Sequence, residues 1–514
     1  MSAKAPPPDG IDKPNAPLSG AADQRSLLPP RPDLRHLRDE AKRRRNAGEF
    51  PSLALAQLAV AREYGFRSWP RLKFHVEALT LDADERAEAL IASVTSADLR
   101  RARALLEADP GIARHDLACA CATGEADDVS RRLAARPAAV SEPTPPNGWQ
   151  PILYACFSRL LRGDPERAAG IREVVRRLLA AGADPNAFFI TEQDWFQVPL
   201  YGAAGIAGDA ELTRMLLEAG ADPTDDREGY HGNEVLYHAC EFPDPTCAML
   251  VIDAGCRQDF VDYDLGRALN FPNPEMIEMF CTHGARATDG HLHQAVWRRR
   301  PPRTIAALLD AGAPIDAPDE HDLTPLQVAV RWGDEAVARL LRERGADENK
   351  VSDEDRALGH YLSGEQNGWP NGIRPSLLDE LLMASIEGGH LEAMRRLLDA
   401  GARVDGDPDA EEIPLGHACW RGRVQMTREL IERGAVLTFR DGGSALGAAL
   451  HGSRHCTDPE GGPSMRNVDE VPQEPYREIV QLLLAAGAEV PERMGENGAR
   501  TMMLIAELGI DPPS

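Results

Sequence analysis

Near the end of the chain, His451, His455, Cys456, Asp458 and Glu460 place five side chains able to ligate a metal ion or carry a proton within ten residues. That density allows a metal or acid–base site, which would lie where this segment meets a neighbouring groove. The plainer reading is an ordered loop whose polar groups bond to backbone, with Gly461-Gly462-Pro463 supplying tight turns. A second set of residues is aromatic: Phe188, Phe189, Trp195 and Phe196, then Tyr230 with His231, then Tyr263, then His321 beside Asp319, then Trp369. Large planar side chains of this kind are suitable anchors for a partner. At least two of Trp195, Phe196, Tyr230 and Tyr263 are expected to be exposed. His238, His293 and His417 form a third set, read as structural rather than as ligands. No Ser-His-Asp elbow, phosphate-binding glycine loop or HExxH occurs. The chain therefore reads as non-enzymatic, with no metal and no cofactor. The alternative is an enzyme, or a small-ligand or metal-binding protein, built on residues 451–460.

These residues sit on a repeating frame. The tag Leu-Leu-x-x-Gly-Ala occurs at Leu178 to Ala183, Leu216 to Ala221, Leu308 to Ala313, Leu340 to Ala346, Leu397 to Ala402 and Leu482 to Ala488, with some variation. Weaker copies surround Gly255, Gly284 and Gly434, and several of the gaps are close to 33 residues. A second tag, Thr324-Pro325-Leu326-Gln327-Val328-Ala329, has degenerate copies at 198–203, 413–418 and 444–449. In it Thr324 can cap a helix, and Pro325 stands where its missing N–H costs nothing. The alanine of this tag precedes the next tag's glycine by 16 or 17 residues in most units, which fits two short antiparallel helices. The glycine takes the left-handed backbone that ends the second helix.

Both tags resemble the ankyrin repeat, whose period and Thr-Pro-Leu-His-x-Ala pattern they follow. The resemblance implies an all-α ankyrin-repeat solenoid that recognises another protein through its concave face and finger loops. It also implies that inner-helix histidines bond to neighbouring turns. Ten units are expected, with small residues at 120, 155, 203, 239, 268, 295, 329, 384, 418 and 449, and an eleventh near 85–112. Before them, Ala61-Arg62-Glu63-Tyr64-Gly65-Phe66 and Ser68-Trp69-Pro70 resemble a short helical module that precedes the repeats in many bacterial ankyrin-repeat proteins. The organisation expected is a disordered tail over 1–30, a small helical hairpin over 31–80, a repeat block over 81–349, a long finger or hinge over 350–377, and a second block over 378–514. The last block carries an insertion at 450–475, which resembles a loop near the end of some such bacterial proteins, and a capping helix over Ala499 to Leu508.

Composition narrows the function. A net charge of −25 argues against nucleic acid as a partner and only weakly favours a basic one. Aromatics are 5% of residues, as expected where Leu and Ala pack short helices. The nine cysteines show no zinc-cage spacing and read as reduced core residues. No apolar run reaches membrane length, so a cytoplasmic protein without membrane contact, monomeric, is expected. The run Lys42-Arg43-Arg44-Arg45 reads as a solvated helix face, given Asp39, Glu40 and Glu49 nearby. Three places break the repeat spacing: 155–182, expected to lengthen an inner helix and its connection, 345–384, and 450–475.

Overall fold

The computed structural model describes residues 28–489, except 30–31, 51–52, 67, 97–98, 192–194, 225–233, 320, 371–376, 407–412, 440–442 and 457–472, together with 505 and 510. Most of the expected tail and of the capping helix, and the centre of the 450–475 insertion, lie outside these residues. The amino-terminal module is α1 (Leu34–Asn46), α2 (Leu53–Glu63) and α3 (Trp69–Thr80); α2 and α3 are the two helices on either side of Gly65 and Ser68, and α1 packs on α2. Gly65, at φ 77–84° like Gly48, follows α2, and the Ser68 hydroxyl accepts from Arg71 N at 3.5 Å to cap α3. Leu37, Ala41, Ala56, Val60, Ala61, Trp69, Leu72 and Val76 form its own core. The basic run on α1 is met by carboxylates, with Arg44 held between Glu40 and Glu63.

The repeats follow as antiparallel pairs of helices. They are α4 (Ala83–Thr95) with α5 (Leu99–Ala108), α6 (Leu117–Thr123) with α7 (Ala126–Ala135), and α8 (Pro151–Cys156), α9 (Leu160–Gly163) and α10 (Pro165–Ala180). A finger hairpin of β1 (Phe189–Ile190) and β2 (Phe196–Gln197) leads into a π-helical turn, Tyr201–Ala207, paired with α11 (Ala210–Glu218). Then come α12 (Glu234–Ala239) with α13 (Thr246–Asp253), α14 (Gln258–Ala268) with α15 (Pro274–Thr282), α16 (Asp289–Trp297) with α17 (Pro302–Asp310), and α18 (Pro325–Arg331) with α19 (Glu335–Glu343). After α20 (Asp353–Ser363) the series ends with α21 (Leu377–Gly388) and α22 (Leu391–Asp399), α23 (Pro414–Trp420) and α24 (Val424–Glu432), and α25 (Ala445–His455) and α26 (Gln473–Ala485). The fold is an all-α ankyrin-repeat solenoid. Its core runs unbroken from Ala78 to Ile510 through every unit.

The two tags do what their chemistry requires. Gly182, Gly220, Gly255, Gly284, Gly312, Gly345, Gly401, Gly434 and Gly487 all have φ between 86° and 102°, a region that a Cβ disfavours. The alanine after the glycine returns its N–H to a buried leucine carbonyl, as in Ala183 to Leu178 at 2.9 Å and Ala346 to Leu341 at 3.0 Å. Thr324 and Gln327 cap α18 reciprocally: the Thr324 hydroxyl accepts from Gln327 N at 3.3 Å, and Gln327 Oε1 accepts from Thr324 N at 3.0 Å.

The broken spacings resolve partly differently from expectation. Between 155 and 182 the inner helix α8 is not lengthened and ends at Cys156; the expected longer connection is there, carrying α9, and the rest of the extra length enters the outer helix, which Asp164 caps at Pro165. Between 345 and 384 the chain forms α20, whose Leu358, Tyr361 and Leu362 are buried. It stacks on α18 and packs against α22, and the Tyr361 hydroxyl donates to Arg396 O at 2.6 Å. After Ala449 the inner helix continues to His455 instead of opening into a loop. In the α21 unit the turn closes on Ser385, whose carbonyl accepts from His390 N at 2.7 Å, so the small residue is Ser385 rather than Ala384.

Candidate binding surface

The finger at 187–198 carries the largest apolar display. Of six exposed large hydrophobic side chains among the described residues, Phe188, Ile190 and Trp195 sit on this hairpin. Ile190 pairs with Phe196 and Phe189 with Gln197, and Thr191 N donates to Trp195 O at 2.9 Å. Successive strand residues face opposite ways, so Trp195 is 37% exposed while Phe196 is 2% exposed. Phe196 is thus not an exposed anchor. It packs beneath Phe188, with ring centroids 5.0 Å apart.

An aromatic base holds the hairpin from the preceding unit. Trp149 stacks on Phe189 at 4.1 Å, and Phe157 meets Phe189 edge-on at 5.1 Å. Tyr154 lies 5.2 Å from Trp149, and its hydroxyl donates to Thr144 O at 2.7 Å. Trp149 was not singled out from the sequence. The signal was its place at the foot of a finger, just before Pro151 of an inner helix.

Further along, Tyr263 is 65% exposed on α14 and stacks on Tyr237 at 6.4 Å. The Arg267 guanidinium covers Tyr237 at 4.7 Å and donates to Glu241 at 2.6 Å. Glu241 also meets His238 Nδ1 at 3.1 Å, and His238 Nε2 lies 3.3 Å from Glu234. Burial is the main cause raising the Tyr237 hydroxyl above its ordinary range. The result is a cross-braced polar floor beside an exposed phenol.

The other expected residues separate. His321 is exposed on a turn that Asp319 organises by accepting from His321 N and Leu323 N, each at 2.9 Å. Burial alone would raise the Asp319 carboxyl, but these N–H groups and the Trp297 indole outweigh it and lower it. Trp369 is half-buried, edge-on to Tyr361 at 5.5 Å. His451 is exposed beside Trp420, with ring centroids 4.9 Å apart, whereas Cys456 is fully buried. Tyr230, Asp458, Glu460 and the side chain of His455 lie outside the described residues. Among the described residues, no three His, Cys, Asp or Glu side chains gather to hold a metal ion. His238, His293 and His417 are each engaged locally: His293 Nε2 with Ala317 O at 2.8 Å, and His417 Nε2 with the Arg421 guanidinium at 2.8 Å. The nine cysteines are free thiols. Burial pushes Cys281 up to about 11, and Cys256 and Cys419 up to about 12.

Fold and surface define a helical repeat protein that presents side chains from fingers and inner helices. The repeats are of ankyrin type, and the ankyrin-repeat family model matches residues 321–353, the unit built on Thr324-Pro325. A stretch of 149 residues is 29% identical to the ankyrin repeat protein nuc-2 of Neurospora crassa, covering 26% of this chain and 14% of that protein. A stretch of 171 residues is 28% identical to the B-cell lymphoma 3 protein homolog of Mus musculus, covering 32% of this chain and 33% of that protein. The chain carries a matched ankyrin repeat at 321–353 and spans only a third or less of either relative's length. Both relatives are eukaryotic. No helix among the described residues is long and apolar enough to cross a membrane.

Proposed function

We propose that this chain is a non-enzymatic scaffold that binds another protein through its finger loops and concave face. The observation that carries the reading is the hairpin bearing the exposed Phe188, Ile190 and Trp195, with Trp149 and Phe157 of the preceding unit packed on its Phe189. A pre-ordered aromatic surface loses little conformational entropy on binding, and Trp is a frequent hot-spot residue. Tyr263 extends this surface two units further along. The test is affinity capture with the full chain and with Trp195→Ala, read by quantitative mass spectrometry. A genuine partner should be depleted roughly tenfold or more by the substitution, the loss of about 2 kcal/mol typical of a hot spot. A partner set identical for both chains would sink the proposal.

A further inference from the structure

The turns joining inner to outer helices carry a row of basic residues that violates three local preferences. At this turn Gly124, Gly208, Gly333, Gly389 and Gly422 adopt φ between 63° and 84°. In the α16 unit the same position is Arg299, at φ 48°, a conformation that side chains disfavour. The next residue caps the outer helix, and Asp209 and Asp334 do so with a carboxylate. The equivalent residues of α22 and α24 are His390 and Arg423, which make no side-chain cap and place basic groups at the positive end of a helix. Local rules broken together in one place point to function rather than folding.

The stack brings these residues into one cluster. Arg298 reaches past α18 to Glu387 at 3.2 Å, and Arg421 meets the same carboxylate at 3.5 Å. Arg299 lies 3.8 Å from Asp334. Arg423 lies across Gly389, and its Nη2 donates to Glu387 O at 3.4 Å. Arg298 and Arg421 thus meet on the Glu387 carboxylate, Arg299 pairs with Asp334, and Arg423 bonds a backbone carbonyl. The Arg423 Nε and His390 Nε2 atoms are buried without a hydrogen-bond partner. Trp297, Trp332 and Trp420 run along the same row; Trp297 and Trp332 meet edge-on at 6.1 Å, and His390 lies 6.0 Å from Trp332. Burial, then Arg299 and Arg423, push His390 down to about 4; burial and Arg421 do the same to His417. Basic side chains thus gather in one row on a chain of net charge −25.

We propose that this row, Arg298, Arg299, Arg421 and Arg423 with the half-buried Trp297 and Trp420 beside it, docks a short acidic peptide segment of a partner protein. Carboxylates pair with guanidinium forks in two-pronged geometry, and the indoles suit apolar residues between the acids. A long polyanion such as nucleic acid would extend beyond the strip onto a strongly acidic surface and be repelled. The inference rests on the chain being a binding scaffold, but it concerns a different face from the finger.

The test uses the full chain and three fluorescein-labelled probes: a peptide of glutamates flanked by leucines, its lysine counterpart, and an oligothymidylate of similar length. Fluorescence anisotropy should show binding of the glutamate peptide alone, weakened at higher salt. Arg298→Gln, Arg421→Gln and Arg423→Gln together should weaken it at least about tenfold. Arg177→Gln and Arg344→Gln, on outer helices, should leave it unchanged. Arg299→Gly relieves the backbone, so a loss of binding in that variant, without a lower melting temperature, cannot be unfolding. No binding, equal loss in the outer-helix variant, or equally tight oligothymidylate binding would overturn the proposal. Glutamate-peptide binding that persists in Trp195→Ala separates this site from the finger, so either reading can fail alone.

Discussion

Replacing Trp149 by alanine should loosen the finger without altering any of its exposed side chains. Truncating a fully buried tryptophan costs about 3–5 kcal/mol, and the half-buried Trp149 forfeits roughly half of that. Its stack on Phe189 at 4.1 Å adds about 1 kcal/mol. The sum, about 3 kcal/mol, corresponds to a roughly 100-fold more frequent local opening. Because each repeat touches only its neighbours, the effect should stay local. Amide hydrogen exchange of Trp149→Ala would read this directly: faster exchange in peptides covering 144–157 and 187–198, and none in those covering 414–485. Unchanged protection at 187–198 would mean that Trp149 does not hold the hairpin. An equal rise over 414–485 would mean that the substitution loosens the whole stack, and the reasoning from nearest-neighbour packing would fail.

Arg299→Gly should stabilise the chain by up to about 1 kcal/mol, since relief of the left-handed backbone, roughly 1–2 kcal/mol, exceeds the added freedom of the unfolded chain; urea unfolding that shows a loss would refute this. Asp355 is fully buried; burial would raise its carboxyl, but Arg331 and Ser352 more than offset this and lower it below 3.8. Its stabilisation is present above the unfolded value and lost as pH falls through the folded one. The stability gap between wild type and Asp355→Asn should therefore be full at neutral pH and shrink below about pH 4, and a gap constant down to pH 3 would contradict it. His390 and His417, held near 4 against 6.5 when free, take up protons in the unfolded chain first. They make stability fall as pH drops from 6.5 toward 4, and their imidazole NMR signals should titrate near 4; midpoints near 6.5 would show them solvated.

The frame was legible because its chemistry admits few alternatives. A glycine that must hold φ near 95° stands out when it recurs after a leucine pair, and Thr-Pro before an apolar run has one economical use, the start of a helix. The register at Ser385 was not legible, since Ala384 and Ser385 are both small and only the turn hydrogen bond distinguishes them. The segment after Ala449 read as a loop, and Gly452 lies within it. Gly452 is instead a packing glycine, because a Cβ there would collide with Trp420 O and the Tyr476 ring, so α25 continues to His455. Phe196 was a candidate for exposure beside Trp195, although neighbours in a strand face opposite ways and Phe196 is buried. The basic row was hidden twice: its arginines lie up to 125 residues apart in sequence, and the overall charge of −25 points the other way.

The central claim is that the finger at 187–198 meets a partner protein. Photo-crosslinking from position 188 in the full chain, with and without Trp195→Ala, tests it most directly. The expected result is a discrete crosslinked partner whose yield falls about tenfold in the Trp195→Ala chain. Crosslinks that are absent, or equally abundant with and without Trp195, would contradict the account.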